Sequence, residues 1–236
     1  MEQKTCAERL AAIVTGQAKG DAIGGPKTMA SILLEEVNSS GGFDREAVMQ
    51  RYLEWWRRDG FDTGPIAAEV FRRVLAGMEA DASVVAVHEF YEGMTAGCAP
   101  VHRSVVLASV PFLCDEELEL AVRGEATLTH FHPIAADVAV AAARIARWSA
   151  DCCSWPEAVS NAAFGLADEV VASVIGWQEK PKDQGGYAPV VLHAALHFVG
   201  TGKSPEDVLR RSSRFSGRSN YVPVLAGAFA GAVWGQ

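Results

Sequence analysis

The chain has 236 residues, a formal net charge of −8 and a pI near 5.3, so its surface would repel the nucleic-acid backbone and we expect no nucleic-acid partner. Hydrophobic residues make up 49% of the chain but aromatic residues only 8%, and alanine is used heavily. Because alanine is the best helix former and a poor strand residue, this composition favours packed helices over a β-sandwich. No apolar run reaches membrane-spanning length, and the opening residues do not resemble a signal peptide, so no membrane association is expected.

Apolar periodicity and helix-boundary residues predict an all-α fold with roughly a dozen helices and no strand with period-two alternation. The predicted helices cover residues 5–20, 28–37, a segment after Asp44, 65–78, 83–94, 101–110, Asp115 to Gly124, 133–150, a segment from Pro156, 166–177, 188–198, 205–214 and a last segment with Pro223 in its first turn. No Ser/Gly/Pro tract or charge block divides the chain, so residues 1–236 are predicted to form one domain.

The last predicted helix has small residues at 226–228 and 230–232, which would let neighbouring helices approach its backbone. We therefore expect it near the centre of the fold. A polar loop at 216–221 leads into it, and the N-terminus of a buried helix offers free N–H groups to a polar ligand. The simpler interpretation is a packing helix with an ordinary polar cap.

The five cysteines are an odd number whose spacing matches no zinc pattern, which indicates reduced, mostly buried thiols in a cytoplasmic protein. They are Cys6, Cys98, Cys114, Cys152 and Cys153.

Polar turns that contain glycine or proline interrupt the predicted helices. They lie at 20–26, 59–65, 96–104, 129–133, 184–187 and 216–221. Such turns, gathered at one end of a helical bundle, would build a single ligand pocket.

In six motifs and in their order, the chain resembles the ADP-ribosylglycohydrolase family, which includes the ADP-ribosyl-acceptor hydrolases and dinitrogenase-reductase activating glycohydrolase. The matching segments are GQAKGDAIG at 16–24, FDTG at 61–64, GCAPVHR at 97–103, THFHP at 129–133, GGY at 185–187 and the small residues at 227–231. The resemblance covers nearly the whole chain. It implies a compact orthogonal bundle of helices and a hydrolase that acts on ADP-ribose linkages.

The chain departs from the family at the residues that hold metal. Members that cleave ADP-ribosyl bonds hold two Mg²⁺ ions with an early T-D-D-T and a late D-x-D-T motif. Here Arg218 and Asn220 stand at the late aspartates and Tyr221 at the threonine, while the early motif falls near residues 24–27 without a carboxylate pair. Since Mg²⁺ prefers anionic oxygen ligands, we expect no magnesium pair and no other cofactor.

Two aspartates are the candidate catalytic residues. By resemblance, the turn that holds Asp62 lies beside the ribose, although a turn or cap role before Pro65 is equally open. Asp21 ends a helix, where stabilisation of the loop is favoured over catalysis.

The segment at 97–103 supplies several predicted ligand contacts. By resemblance, Gly97, Cys98 and Ala99 would bring backbone N–H groups close to a diphosphate, or they form a plain helix break before the next helix. His102 and Arg103 would add donors, although the arginine is alternatively a structural residue paired inside the bundle. Cys98 as a nucleophile is a minor alternative, because no base partner is identifiable.

Two histidines and several glycines complete the predicted pocket. By resemblance, His130 belongs to its wall and His132 replaces an aspartate; metal binding by the two is a minor alternative to a structural role. Gly64, Gly185 and Gly186 are pocket glycines that the resemblance retains.

The loop before the last helix would replace the metals. Ser219, Asn220 and Tyr221 would donate hydrogen bonds to a ribose or phosphate. The Arg218 guanidinium would neutralise a diphosphate, or it is a solvated loop cation.

Two functions follow from this resemblance. The first is a metal-independent hydrolase of a glycosidic bond in an ADP-ribose-like or nucleotide-sugar ligand, with Asp62 and Asp21 as its acids. The second is a catalytically inactive pseudoenzyme that binds ADP-ribose or a protein partner, such as an ADP-ribosylated protein. A purely structural protein is a third possibility.

Overall fold

The computed structural model describes residues 4–151 and 153–236, and this part of the chain contains only α-helices, one 3₁₀ segment and an isolated β-bridge. The predicted all-α fold class is therefore confirmed. The helices are α1 (Cys6–Gly20), α2 (Gly25–Ser40), α3 (Arg45–Asp59), α4 (Pro65–Leu75), α5 (Ala80–Phe90), α6 (Ala99–Ser104), α7 (Asp115–Ala126), α8 (Pro133–Ala150), α9 (Trp155–Ala162), α10 (Asp168–Ile175), α11 (Ala188–Gly200), α12 (Pro205–Ser216) and α13 (Tyr221–Trp234); the 3₁₀ segment is Val105–Ser109.

The helix starts at Pro65, Pro133 and Pro205 were predicted, whereas Pro26 and Pro100 were assigned to breaks and lie in first turns of helices. The second helix is longer at both ends than the predicted 28–37, since Pro26 lies in its first turn and the Ser40 hydroxyl donates to the Glu36 carbonyl in its last. The single helix predicted at 101–110 is wrong, because the chain changes there from α6 to the tighter 3₁₀ segment.

Helix α13 lies at the centre of the fold, buried from Val222 to Ala232 and packed most extensively against α1. A Cβ on Gly16 would overlap the Gly227 carbonyl, and a Cβ on Gly231 would overlap the Ala12 carbonyl. The two helices are therefore in backbone contact, as the small-residue pattern of the last helix predicted.

The turns between the helices meet at one end of the bundle. The Cys98 N–H donates to the Gly186 carbonyl at 2.9 Å, and the Ala188 N–H donates to the Ala96 carbonyl at 2.9 Å. This short bridge joins the turn before α6 to the turn before α11. The turns that precede α2, α4 and α13 approach the same place, where the candidate site lies.

Four of the five cysteines lie within the described residues, and Cys98, Cys114 and Cys153 are free thiols. Of these only Cys98 is buried, while Cys114 and Cys153 are exposed, so the expectation of mostly buried thiols was wrong. Cys152 lies outside the described residues. None of the helices in the described ranges is both long and apolar enough to cross a membrane.

Candidate functional site

A cavity of about 580 Å³ opens where the turns meet, within the size range of small-molecule sites. Most of the predicted site residues line it: Asp62, Gly64, Gly97, Cys98, Ala99, His102, Arg103, His130, His132, Gly186, Asn220 and Tyr221. Residues that are far apart in the chain therefore share one wall.

Four predicted site residues do not line the cavity. Asp21 is buried behind the wall, Gly185 and Arg218 are exposed, and Ser219 is partly buried in the turn before α13. The Arg218 guanidinium therefore does not occupy the place that the resemblance suggested for it, and the solvated alternative describes its position.

Two aspartates and one asparagine form a carboxylate–amide cluster at the cavity wall. The Asn220 amide nitrogen donates to Asp21 Oδ1 at 2.8 Å and to Asp62 Oδ2 at 3.0 Å. In the opposite orientation the amide oxygen, an acceptor, would face two carboxylates that also only accept. The amide is therefore assigned with its nitrogen towards the carboxylates. Asn220 is 4% exposed, which places these bonds away from bulk water.

Asp21 organises the turn before α2. Its carboxylate accepts the N–H groups of Gly24 and Lys27, each at 2.8 Å, in addition to the Asn220 amide. These bonds satisfy donors at the start of the helix, as N-terminal carboxylates commonly do. The geometry matches the loop-stabilising alternative for Asp21 better than a catalytic role.

Asp62 is held in the cavity wall by an unusual turn. Its φ of 50° lies in the left-handed region, which aspartate tolerates better than most residues, and Gly64 follows with φ 79°. A Cβ on Gly25 would overlap the Asp62 backbone, so a glycine at the start of α2 lets the two segments come together.

The environment of Asp62 raises the pKa of its carboxyl above the ordinary value. Partial burial is the main cause, and the nearby Asp21 carboxylate adds to it, while hydrogen bonds from Asn220 and the Gly25 N–H offset part of the effect. Asp62, which lines the cavity, is therefore protonated more easily than an aspartate exposed to water.

Both buried histidines of the wall are neutral near pH 7. Burial lowers the pKa of His102 to about 4, and its Nε2–H donates to the Tyr221 carbonyl at 2.7 Å. Burial also lowers the pKa of His130, with a further contribution from the Arg103 charge. Neither ring supplies a positive charge to a ligand.

Arg103 is a structural residue of the cavity floor. Its Nε donates to Glu125 Oε1 at 2.5 Å, where the Tyr52 hydroxyl also donates at 3.0 Å, and its Nη2 donates to Thr129 Oγ1 at 3.0 Å. Arg103 and Glu125 are 1% and 0% exposed, so the pair is fully buried. The geometry therefore matches the structural alternative, in which this arginine pairs inside the bundle.

Cys98 has neither the charge state nor the free backbone donor that its proposed roles require. Burial raises the pKa of its thiol to about 12, so the nucleophilic thiolate is scarce at neutral pH. Its N–H already donates to Gly186, which removes one of the three backbone donors expected to meet a diphosphate.

Sequence reasoning missed the apolar part of the wall and the partner of Arg103. Met29, Ile66, Met94 and Tyr187 all line the cavity, and none belongs to a recognisable polar motif. Glu125 lies within α7, where its sequence context resembles an ordinary solvated helix face. Only Tyr187, adjacent to the GGY glycines, had a local signal.

The fold and this cavity define an ADP-ribosylglycohydrolase-type helical protein. The ADP-ribosylglycohydrolase family model matches residues 26–236, and the chain belongs to this family. A solved structure described as an ADP-ribosylglycohydrolase-related protein complex superimposes with a TM-score of 0.79 at 23% identity, covering 98% of this chain and 89% of that one. At this identity the likeness shows the shared fold. No match was found among curated proteins.

Proposed function

We propose that the protein is a metal-independent ADP-ribosylglycohydrolase-family member whose cavity binds the ribosyl part of an ADP-ribose-like or nucleotide-sugar ligand. The observation that carries this proposal is the Asn220 amide, which donates to both Asp21 and Asp62. A cation would hold two carboxylates close together by its charge. Here the neutral amide does so by donating one hydrogen bond to each carboxylate.

The residues at this place do not fit the two magnesium ions of the family. In the described ranges no group of three or more His, Cys, Asp or Glu side chains is arranged to hold a metal ion. Asp21 already accepts two backbone N–H groups, and the space between the carboxylates is filled by N–H donors, which repel a cation. The nearby cationic side chains, Lys27 and Arg218, are exposed, so neither takes the place of a metal ion between the carboxylates.

Asp62 is the residue we assign to ligand contact. An ionised carboxylate only accepts hydrogen bonds, so a vicinal pair of sugar hydroxyl groups is a suitable partner for it. The tyrosines and methionines of the wall would cover the less polar faces of the ligand.

Binding without turnover is the primary form of the proposal, because Asp62 is the single carboxylate that lines the cavity among the described residues. Glycoside hydrolysis ordinarily uses two carboxyl groups on opposite sides of the bond, and here Asp21 lies behind the wall. A metal-free hydrolase is the second candidate. The raised pKa of Asp62 favours it, because perturbed acids in clefts often act in proton transfer.

Calorimetry with ADP-ribose tests the binding site, run once in EDTA and once in Mg²⁺. We expect equal affinity in both buffers. Asp62→Asn should weaken binding by about 10-fold or more, as expected for loss of a charge-assisted hydrogen bond. Asp59→Asn, at the exposed end of α3, is the matched control and should bind like the wild type. Binding that requires Mg²⁺ would contradict the proposal.

An assay of product release separates the two forms. Arginine-linked, serine-linked and free-nucleotide ribosides are incubated with protein at high concentration, and release of ADP-ribose or base is followed. Release that Asp62→Asn abolishes, with the fold intact, would establish the hydrolase. Binding without release from any member of the panel would establish the binder.

A further inference from the structure

The charges of the side chains in the cavity wall indicate which ligand charge the cavity accepts. Among the lining residues within the described ranges, the charged ones are Asp62 and Arg103, and Arg103 is neutralised by Glu125 in the core. Of the lining histidines, His102 and His130 are neutral because burial lowers the pKa of each. His132 accepts the Ile134 N–H through its Nδ1, so this nitrogen carries no proton. The wall therefore presents one unbalanced charge, and that charge is negative.

Three backbone donors near the cavity are already engaged. The Asp21 carboxylate accepts the N–H groups of Gly24 and Lys27 at the start of α2, and Cys98 donates to Gly186. A diphosphate normally requires several free N–H groups or unpaired cations, which this wall does not offer at those positions.

His130 provides a neutral donor that faces the cavity. Arg103 can only donate, so Thr129 Oγ1 accepts from it, and the Thr129 hydroxyl then donates to His130 Nδ1 at 2.8 Å. This satisfies each of these polar atoms and leaves the ring hydrogen on Nε2. A Cβ on Gly97 would lie 3.2 Å from that nitrogen, so the donor is close to the small-residue turn of the wall.

Aromatic and apolar groups form the rest of the wall. Tyr187 and Tyr221 are 39% and 36% exposed and line the cavity together with Met29, Ile66 and Met94. The Tyr187 hydroxyl is hydrogen-bonded to Glu169, and the Tyr221 ring packs against Gly186, so both rings are fixed in place. Fixed rings of this kind suit the flat face of a heterocyclic base.

We propose that the part of the ligand enclosed by the cavity is an uncharged ribonucleoside, with the diphosphate of a larger ligand left outside. Asp62 accepts from the ribose hydroxyls, His130 Nε2–H donates to an acceptor on the base, and the tyrosines cover its face. This inference rests on the proposed function, because the choice of a ribosyl ligand comes from there.

A ligand series in EDTA tests the inference: adenosine, AMP, ADP and ADP-ribose, each measured by calorimetry at low and high salt. We expect adenosine to bind at least as tightly as ADP and within about threefold of ADP-ribose, with an affinity that salt leaves unchanged. If ADP-ribose or ADP binds about 10-fold or more tighter than adenosine, with affinity that falls as salt rises, the inference is overturned.

The series also separates this inference from the proposed function. Binding of ADP-ribose without adenosine overturns the inference and leaves the ribosyl pocket in place. Absence of binding by all four ligands removes both.

A gain-of-charge variant sharpens the result. Met94 is 73% exposed and lines the cavity, so Met94→Lys adds a cation at its rim without disturbing the core. Met94→Gln, of similar length but uncharged, is the matched reference, so that loss of the methionine contact is common to both variants. We expect the affinity for AMP and ADP, each relative to that for adenosine, to be about fivefold higher in Met94→Lys than in Met94→Gln; equal ratios in the two variants would contradict the inference.

Discussion

Two carboxylate groups in this protein, the buried Glu125 and the partly buried Asp62, are stabilised in opposite ways. Glu125 meets a cation, because Arg103 donates to it at 2.5 Å and both side chains are excluded from water. Asp62 meets a neutral amide, since Asn220 donates to it at 3.0 Å while also binding Asp21. The first carboxylate is paired with a cation inside the core through Oε1, and the second keeps an unbalanced charge at a cavity wall.

This difference indicates which acid serves the fold and which is available to a ligand. Ion pairing consumes the Glu125 charge, and the pKa of Arg103 is raised, chiefly by Glu125, in spite of its burial. At Asp62 the amide offers hydrogen atoms without a full charge, so burial still raises the pKa of the carboxyl. A neutral partner thus holds a carboxylate in place and leaves its chemistry accessible.

The largest effect is expected when the ion pair is broken. Glu125→Ala leaves Arg103 charged and unpaired in the core, which should lower the free energy of unfolding by about 3–5 kcal/mol. Urea denaturation at neutral pH measures this. Glu35→Ala removes one of the two carboxylate partners of Arg51 at an exposed site and should cost less than about 1 kcal/mol. Similar costs for the two variants would contradict the comparison.

Asn220→Asp replaces the amide donor with a third carboxylate between the other two. In EDTA at neutral pH we expect a loss of about 2 kcal/mol in the free energy of unfolding, since like charges meet and donors disappear. The crowded acids have raised pKa values in the folded state, so the loss should shrink as pH falls towards about 4. Denaturation curves at several pH values test this, with exposed Asn38→Asp as the control; a loss that grows at low pH would refute the arrangement.

A smaller effect of opposite sign is expected for Asp62→Asn. The folded-state pKa of Asp62 is raised, so the wild type loses stability as pH increases from the unfolded value of about 3.9 through the folded value. The variant lacks that ionisation and should be more stable at neutral pH by less than about 1 kcal/mol, because Asp62 is only partly buried. The advantage should vanish below about pH 4. Thermal unfolding across this range measures it, with Asp59→Asn as the control; a variant less stable than the wild type at pH 7 would be incompatible with this account.

The smallest effect is expected at Lys27. Its Nζ is 3.3 Å from the backbone oxygen of Asp21 and the side chain is exposed, so Lys27→Ala should change stability by less than about 0.5 kcal/mol. Urea denaturation beside Lys19→Ala gives the measurement. A loss near that of the Glu125 variant would mean that Lys27 neutralises the carboxylate–amide cluster after all.

Local signals predicted the helices, and the motif resemblance named most of the residues that line the cavity, but the contacts between them followed only from the three-dimensional structure. Pro65 and Pro133 mark helix starts because each lies in a first turn, whereas the change of geometry at Val105 has no local marker. Asp62 and Asn220 were both singled out, but their contact spans 158 residues and follows from packing.

The neighbours of Asn220 show the same limit. Arg218 precedes Asn220 by two residues, yet Asn220 is buried and Arg218 faces solvent. Motif alignment treats the two positions alike, because the direction of a side chain in a turn depends on how the following helix docks.

The contact between Asn220 and Asp21 joins positions 199 residues apart and lies where α13 begins. Helix α13 also packs its glycines against the backbone of α1, so the first and last helices of the described residues form one unit. A nascent chain therefore has to keep α1 without its main packing partner until α13 has been synthesised, and closing so long a loop is slow. The cavity should consequently form late in folding, because its wall includes Asn220 and Tyr221 at the start of α13.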